Sequence, residues 1–265
     1  MTSNFNKLYA SNPINTFTVL IPISSTAYPP SITNNVGNFN EAILAPILIK
    51  SSLAKKYWMA ATGLFLCLFL IGHLAGNLQL LLPKDKALLQ FNEYALFMTT
   101  FPLVKALSYF TYFSILFHAV DGFLLMIKNK KARPVAYAYS KPSKNSKWSS
   151  RNMGLLGSML LLFLIIHMRS FWYEMHFGDV PLDVNGNKDL YTITYSAFQS
   201  VWYVLFYVVS MLAVALHLSH GFGSAFQSVG LSHPKLRIII KPLTYFFCII
   251  VPLFFALIPI SLYFK

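Results

Sequence analysis

The chain has 265 residues, of which 56% are hydrophobic and only 11% charged, with a formal net charge of +13. A soluble domain carries roughly 25% charged residues, so this composition cannot clothe a water-facing surface, and much of the chain must face lipid. The positive balance would suggest nucleic acid in a soluble protein; here it lies in loops beside apolar stretches, where it reads as membrane orientation, and no nucleic-acid partner is expected.

Residues 1–45 form a polar leader rich in Asn, Ser, Thr and Pro. Its apolar run Thr16–Ile23 is too short to span, only Lys7 precedes it, and Ala27-Tyr28-Pro29-Pro30 is a poor cleavage site. The leader therefore reads as a tail that is flexible or contacts a partner. Residues 46–265 read as one membrane domain. A spanning helix needs roughly 20 mostly apolar residues, and five stretches qualify: about Tyr57–Leu82, Leu103–Ile127, Met153–Trp172, Phe198–Phe226 and Pro242–Phe264. They leave no room in this domain for a soluble catalytic unit. Pro252 and Pro259 should bend the fifth helix, which a lipid-embedded bundle tolerates. Cys67 and Cys248 each sit in an apolar stretch and read as buried free thiols. There is no C-x-x-C-H, hence no sign of covalently attached haem.

The segment between the second and third stretches carries Lys128, Lys130, Lys131, Arg133, Lys141, Lys144, Lys147 and Arg151, without an acid. Lys50, Lys55 and Lys56 precede the first stretch, and Lys235, Arg237 and Lys241 lie between the fourth and fifth. All fall on one side; Asp85, Glu93, Glu174, Asp179, Asp183 and Asp189 fall on the other. Excess Lys and Arg marks the cytoplasmic face. The expected placement is a multi-pass protein of the cytoplasmic (inner) membrane, N-terminus inside and C-terminus outside.

Ionisable residues inside spans are rare and usually functional. Four of the five stretches carry a deep histidine: His73, His118, His167 and His217. A single one could merely hydrogen-bond a neighbouring helix; one on each of four helices points to a shared task. At about 1.5 Å rise per residue, His73 and His167 lie roughly 24 and 21 Å from the basic side, and His118 and His217 both roughly 14 Å. They sort into an outer pair, His73/His167, and an inner pair, His118/His217. Two imidazoles at one depth on facing helices suit a six-coordinate haem iron in an apolar bundle. Zinc is disfavoured, since no thiolate or carboxylate shares either depth. The expected fold class is all-α, a polytopic membrane bundle of five transmembrane helices enclosing two b-type haems.

Several runs bear a resemblance to a known family: Lys55-Lys56-Tyr57-Trp58-Met59-Ala60 and its continuation Ala61-Thr62-Gly63-Leu64-Phe65-Leu66, His73-Leu74-Ala75-Gly76-Asn77-Leu78, Phe117-His118-Ala119, Ala132-Arg133-Pro134, Ser150-Arg151-Asn152-Met153, His167-Met168-Arg169-Ser170-Phe171-Trp172, and Leu216-His217-Leu218-Ser219-His220-Gly221-Phe222. In order and spacing, over roughly residues 50 to 265, these resemble the cytochrome b558 subunit of succinate dehydrogenase and the related fumarate reductases, in its single five-helix, two-haem form. The leader lies outside the resemblance. The resemblance implies an anchor for a flavoprotein subunit and an iron–sulfur subunit at the cytoplasmic face. It also implies electron transfer between the iron–sulfur subunit, two b haems and a quinone, usually menaquinone. The family's haem ligands fall on His73, His118, His167 and His217.

The remaining candidates are secondary. His220, one turn beyond His217, competes for the inner site but sits nearer the inner surface, where a haem propionate or a carbonyl is a more natural partner. Arg133 and Arg151 are candidates for propionates or partner carboxylates, because the guanidinium is bidentate. Glu93 is a candidate for proton exchange with a quinone near the outer haem: burial beside the apolar run Phe97–Pro102 would raise its pKa. A solvated carboxylate paired with Lys86 is the plainer reading. Two other functions compete: a di-haem cytochrome b of another quinone-linked oxidoreductase, and a transporter with histidine relays, for which inverted repeats and broken helices are missing from the sequence.

Overall fold

The computed structural model describes residues 51–132, 144, 146–231 and 233–265. The chain divides into two units, Met1–Ile43 and Leu44–Lys265, and the described residues belong to the second. The polar leader, Arg133, Lys50 and Lys141 lie outside them.

The described chain is helical: α1 (Ser52–Asn77), α2 (Lys84–Thr100), α3 (Pro102–Lys131), α4 (Trp148–Arg151), α5 (Met153–His167), α6 (Leu190–Ala197), α7 (Val201–Ser228), α8 (Pro234–Tyr245) and α9 (Val251–Tyr263). With short 3-10 and π segments and a further α-helical turn, Glu174–Phe177, they include five helices long and apolar enough to cross a membrane: Leu53–Leu81, Pro102–Lys131, Met153–Phe177, Val201–Ser228 and Pro234–Tyr263. The shortest has 25 residues, about 37 Å at helical rise, against a hydrocarbon core of roughly 30 Å. Large apolar side chains coat the exterior, among them Leu68, Leu103, Trp202 and Ile238, each more than 60% exposed. Such a surface suits lipid and would aggregate in water.

Local chemistry sets the ends. Ser51 caps α1, its hydroxyl accepting from the Ala54 amide, and Pro102 opens α3 at the position where its missing N–H costs nothing. Lys128, Lys130 and Lys131 occupy the last turn of α3, where cations offset the helix dipole. Gly230, at φ +82°, ends α7. The Leu231 amide returns to the Phe226 carbonyl and the Gly230 amide to Gln227, the paired bonds of a Schellman cap.

The fifth span starts at Pro234, two turns before the apolarity of the sequence suggests. Lys235, Arg237 and Lys241 mask those turns, but Pro234 and the His233 cap on the Lys235 amide nucleate the helix there. Pro252 cannot donate to the Cys248 carbonyl, and a π segment, Phe246–Ile250, takes up the disruption just ahead of it. The third span carries another π segment, Met168–Tyr173, directly after His167. Its wider turn aligns residues five apart, and Arg169 pairs with Glu174.

The first four spans close a ring: first on second, second on third, third on fourth, fourth on first. The fifth packs outside, against the fourth and first. The diagonals, first to third and second to fourth, are not among the closely packed pairs. They face each other through the middle of the ring. Cys67 and Cys248 are buried free thiols.

The end opposite the basic loops is tied by polar contacts. Asn92, on α2 and 1% exposed, donates to Asp183 and Asp189 and accepts from the Tyr191 amide. Gly186, at φ +81°, turns the loop that carries these carboxylates. Lys265 donates to the Leu80 and Leu82 carbonyls, and Gln199 to that of Leu262.

Candidate functional site

Each diagonal of the ring carries one histidine pair. His73 on α1 and His167 at the end of α5 have ring centres 5.7 Å apart, at an interplanar angle of 89°. His118 on α3 and His217 on α7 have ring centres 6.2 Å apart, at 67°. The pairing is the one expected from depth, and neither pair crosses layers. The layer spacing follows from two helices independently. His118 touches α1 at Met59 and Thr62, eleven residues before His73, a helical rise of roughly 16 Å. His167 touches α7 at Tyr207, ten residues before His217, roughly 15 Å.

In the inner layer, the His118 Nδ1 lies 3.2 Å from the Met59 carbonyl and 3.3 Å from the Thr62 hydroxyl. The Thr62 hydroxyl is itself committed to the Trp58 carbonyl at 2.7 Å. A carbonyl only accepts, so Nδ1 of His118 carries the proton and Nε2 is left with a free lone pair. This close seat requires Gly63: a Cβ there would stand 3.1 Å from the His118 Cε1. Across the ring, the Nδ1 of His217 is buried and has no hydrogen-bond partner among the described residues. Gly221 lies beside that ring, and a Cβ on it would reach the His217 Cδ2 at 3.9 Å.

The outer layer is aromatic. His73 is held by rings: Phe69 at 5.2 Å, nearly parallel, and Phe255 of the fifth span at 5.6 Å. The Asn77 amide donates to the His73 carbonyl at 2.8 Å. His167 lies among Phe163, Phe171 and Tyr207, with its Nδ1 3.0 Å from the Tyr207 hydroxyl. Tyr207 lies 3.3 Å from the Tyr203 hydroxyl, which donates to Ser170 at 2.7 Å.

Metal–imidazole bonds are about 2 Å long, and a ring centre lies about 1 Å from its nitrogen, so two imidazoles sharing one ion have centres about 6 Å apart. Both pairs match that distance. Among the described residues no group of three or more His, Cys, Asp and Glu side chains could hold a metal ion. Two donors per layer at this spacing suit a group that brings its own equatorial ligands, as haem does.

The other sequence candidates fare differently. His220 is half-buried one turn past His217 and makes no hydrogen bond among the described residues. Arg151 is exposed and donates to the Ser146 carbonyl and, at 3.5 Å, to its hydroxyl. Glu93 requires a correction: it is exposed on α2, so the burial on which its proton-exchange role depended is missing. Its neighbour Asn92 takes the inward position, because that face of α2 packs on the loop holding Asp183 and Asp189. Nor is an ion pair between Glu93 and Lys86 present among the described residues; the one found there joins Arg169 and Glu174.

Sequence reasoning gave no role of their own to Tyr203, Tyr207, Ser170 and Thr62. The four-residue spacing of the two tyrosines on one span was the available signal, since it stacks both hydroxyls on one helix face. Asp121, half-buried one turn from His118, was also passed over. The fold and site together define an all-helical membrane bundle with two histidine layers in its interior. Comparison with protein-family models, curated proteins and solved structures finds no match to this chain.

Proposed function

We propose that this chain is the membrane-anchor and electron-transfer subunit of a succinate:quinone oxidoreductase, of the succinate dehydrogenase and fumarate reductase class. The observation that carries the reading is the diagonal pairing of His73 with His167 and His118 with His217. Bound there, two b haems would supply one-electron transfer along the bundle axis. The chain's own part is to hold imidazoles at fixed depth, to orient them through the Met59 carbonyl and the Tyr207 hydroxyl, and to exclude water with aromatic packing. Succinate chemistry belongs to a flavoprotein subunit docked with an iron–sulfur subunit at the basic end, which faces the cytoplasm on the positive-inside rule. A quinone, usually menaquinone in the resembled family, would exchange electrons with a haem held by His73 and His167.

The specific assignment rests on the short sequence runs and on the five-helix frame. The test is purification of the chain from its native membrane. A spectrum with b-type bands, together with a co-purifying flavoprotein that oxidises succinate, supports the reading. B-type bands with a different partner indicate another quinone-linked cytochrome b. Lack of haem in the intact native complex refutes both and leaves a histidine-containing transporter.

A further inference from the structure

The hydroxyls beside His167 form a chain whose hydrogens can be counted. The Tyr203 hydroxyl donates its one hydrogen to Ser170 at 2.7 Å. Towards Tyr207, 3.3 Å away, Tyr203 can then only accept. With all three contacts hydrogen-bonded at once, the single hydrogen of Tyr207 goes to Tyr203, and towards the His167 Nδ1, 3.0 Å away, Tyr207 can only accept in turn. The proton between them must sit on Nδ1, which leaves Nε2 with its lone pair.

We infer that Ser170, Tyr203 and Tyr207 act as a relay of hydrogen-bond direction that fixes the tautomer of His167, with Tyr203 and Ser170 as positioning residues that never touch the imidazole. The inference rests on the haem reading for its purpose but not for its chemistry. The Met59 carbonyl imposes the same tautomer on His118 directly, because a carbonyl has no hydrogen to give. A tyrosine hydroxyl has one and can face an imidazole either way, so in the outer layer the direction is set by the donation from Tyr203 to Ser170. Ser170 lies in the π segment that follows His167. Its spacing of three from His167 puts both on one helix face, and there Ser170 meets Tyr203 of the fourth span.

An ordinary packing role would make Tyr207, which contacts the ring, the sensitive residue. The relay predicts otherwise. In Tyr207→Phe the Nδ1 merely loses a partner. In Tyr203→Phe the hydroxyl of Tyr207 loses its acceptor and turns its hydrogen onto Nδ1, which drives the proton to Nε2 and removes the lone pair offered to a metal. Ser170→Ala frees the hydrogen of Tyr203 to turn back in the same way.

The full chain is labelled with 15N-histidine and reconstituted in lipid, and the proton-bearing ring nitrogens are recorded by solid-state NMR, with His167 assigned by loss of its signals in His167→Gln. Without haem, His167 is expected to be protonated on Nδ1 in the native chain, on Nε2 in Tyr203→Phe and Ser170→Ala, and on a mixture in Tyr207→Phe. In haem-loaded protein, Tyr203→Phe should weaken retention of one haem of two by about 10- to 100-fold, the usual effect of disturbing the partner of a ligating histidine. Nε2 protonation in the native chain overturns the relay, as does an unchanged tautomer in Tyr203→Phe. If Tyr203→Phe does not insert, Ser170→Ala alone decides. The nitrogen spectrum stands apart from the haem: a chain that binds no haem but shows the tautomer switch refutes the proposed function and leaves the relay intact.

Discussion

Replacing Gly63 by Ala should loosen the inner layer without touching the outer one. The added Cβ would stand 3.1 Å from the His118 Cε1 and 3.4 Å from Nδ1. Carbon atoms rest at about 3.5–4.0 Å, so the ring must withdraw by about 0.4 Å. Gly63, Met59 and Thr62 all lie on α1, so withdrawal from one is withdrawal from all. The Nδ1 distances of 3.2 Å to Met59 and 3.3 Å to Thr62 would stretch to about 3.6 Å, where a hydrogen bond no longer exists. Losing it costs about 0.5–1.5 kcal/mol, up to about tenfold in affinity. Titration of haem into the reconstituted chain measures this directly: one of two sites should weaken by about tenfold. Gly72→Ala is the matched control, since a Cβ there meets nothing within 4 Å. Native affinity at both sites in Gly63→Ala would refute the argument, as would equal weakening of both.

Four further outcomes follow from the same geometry. Asn92→Ala should destabilise the end of the bundle opposite the basic loops, because it orphans the Tyr191 amide and removes a partner from Asp183 and Asp189; each orphaned group costs about 1–3 kcal/mol, and proteolysis of the 178–189 loop reads the effect. Asp183 adds a pH signature there. Burial alone would raise its carboxyl, but bonds from the Asn187 amide, the Asn92 side chain and the amides of Asn185 and Gly186 outweigh that and hold it below the usual aspartate range. Its stabilisation is therefore complete above the unfolded aspartate pKa and lost as pH falls through the lowered folded value, so loop protection should decay only in acid, and less so in Asn92→Ala. His220→Asn should leave both haems bound, since His217 alone faces His118; loss of the inner haem would transfer ligation to His220. Glu93→Gln should change haem content and quinone-linked turnover by less than about twofold, well short of the tenfold that about 1.4 kcal/mol represents, because the side chain is exposed on α2; collapse of turnover would restore its proton role.

The spans and the histidine layers were legible because both are written in periodicity and depth. Apolar runs of sufficient length have one solution in lipid, and a rise of about 1.5 Å per residue converts sequence position into height. Height sorted the four histidines into pairs; the ring order of the helices, which puts each pair on a diagonal, needed packing. The start of the fifth span was hidden because Lys235, Arg237 and Lys241 break its apolarity while leaving it helical. Glu93 was misplaced for a different reason. An α-helix beside the bundle presents one face inward, and the chain places Asn92 there to meet two carboxylates and a backbone amide. Those partners arrive from nearly 100 residues downstream, so no local pattern announces them. The hydroxyl chain on His167 was equally silent, because Ser170 and Tyr203 lie on different spans and meet only when the third packs on the fourth.

The central claim is that the two histidine pairs each hold one b haem. Haem per chain, counted by absorption in the purified full-length protein and its single-histidine variants, tests it most directly. Two haems are expected in the native chain, one in His73→Ala and in His167→Ala with the same residual spectrum, and one in His118→Ala and in His217→Ala with the other. A chain that holds no haem, or variants whose residual spectra pair His73 with His118, would contradict it.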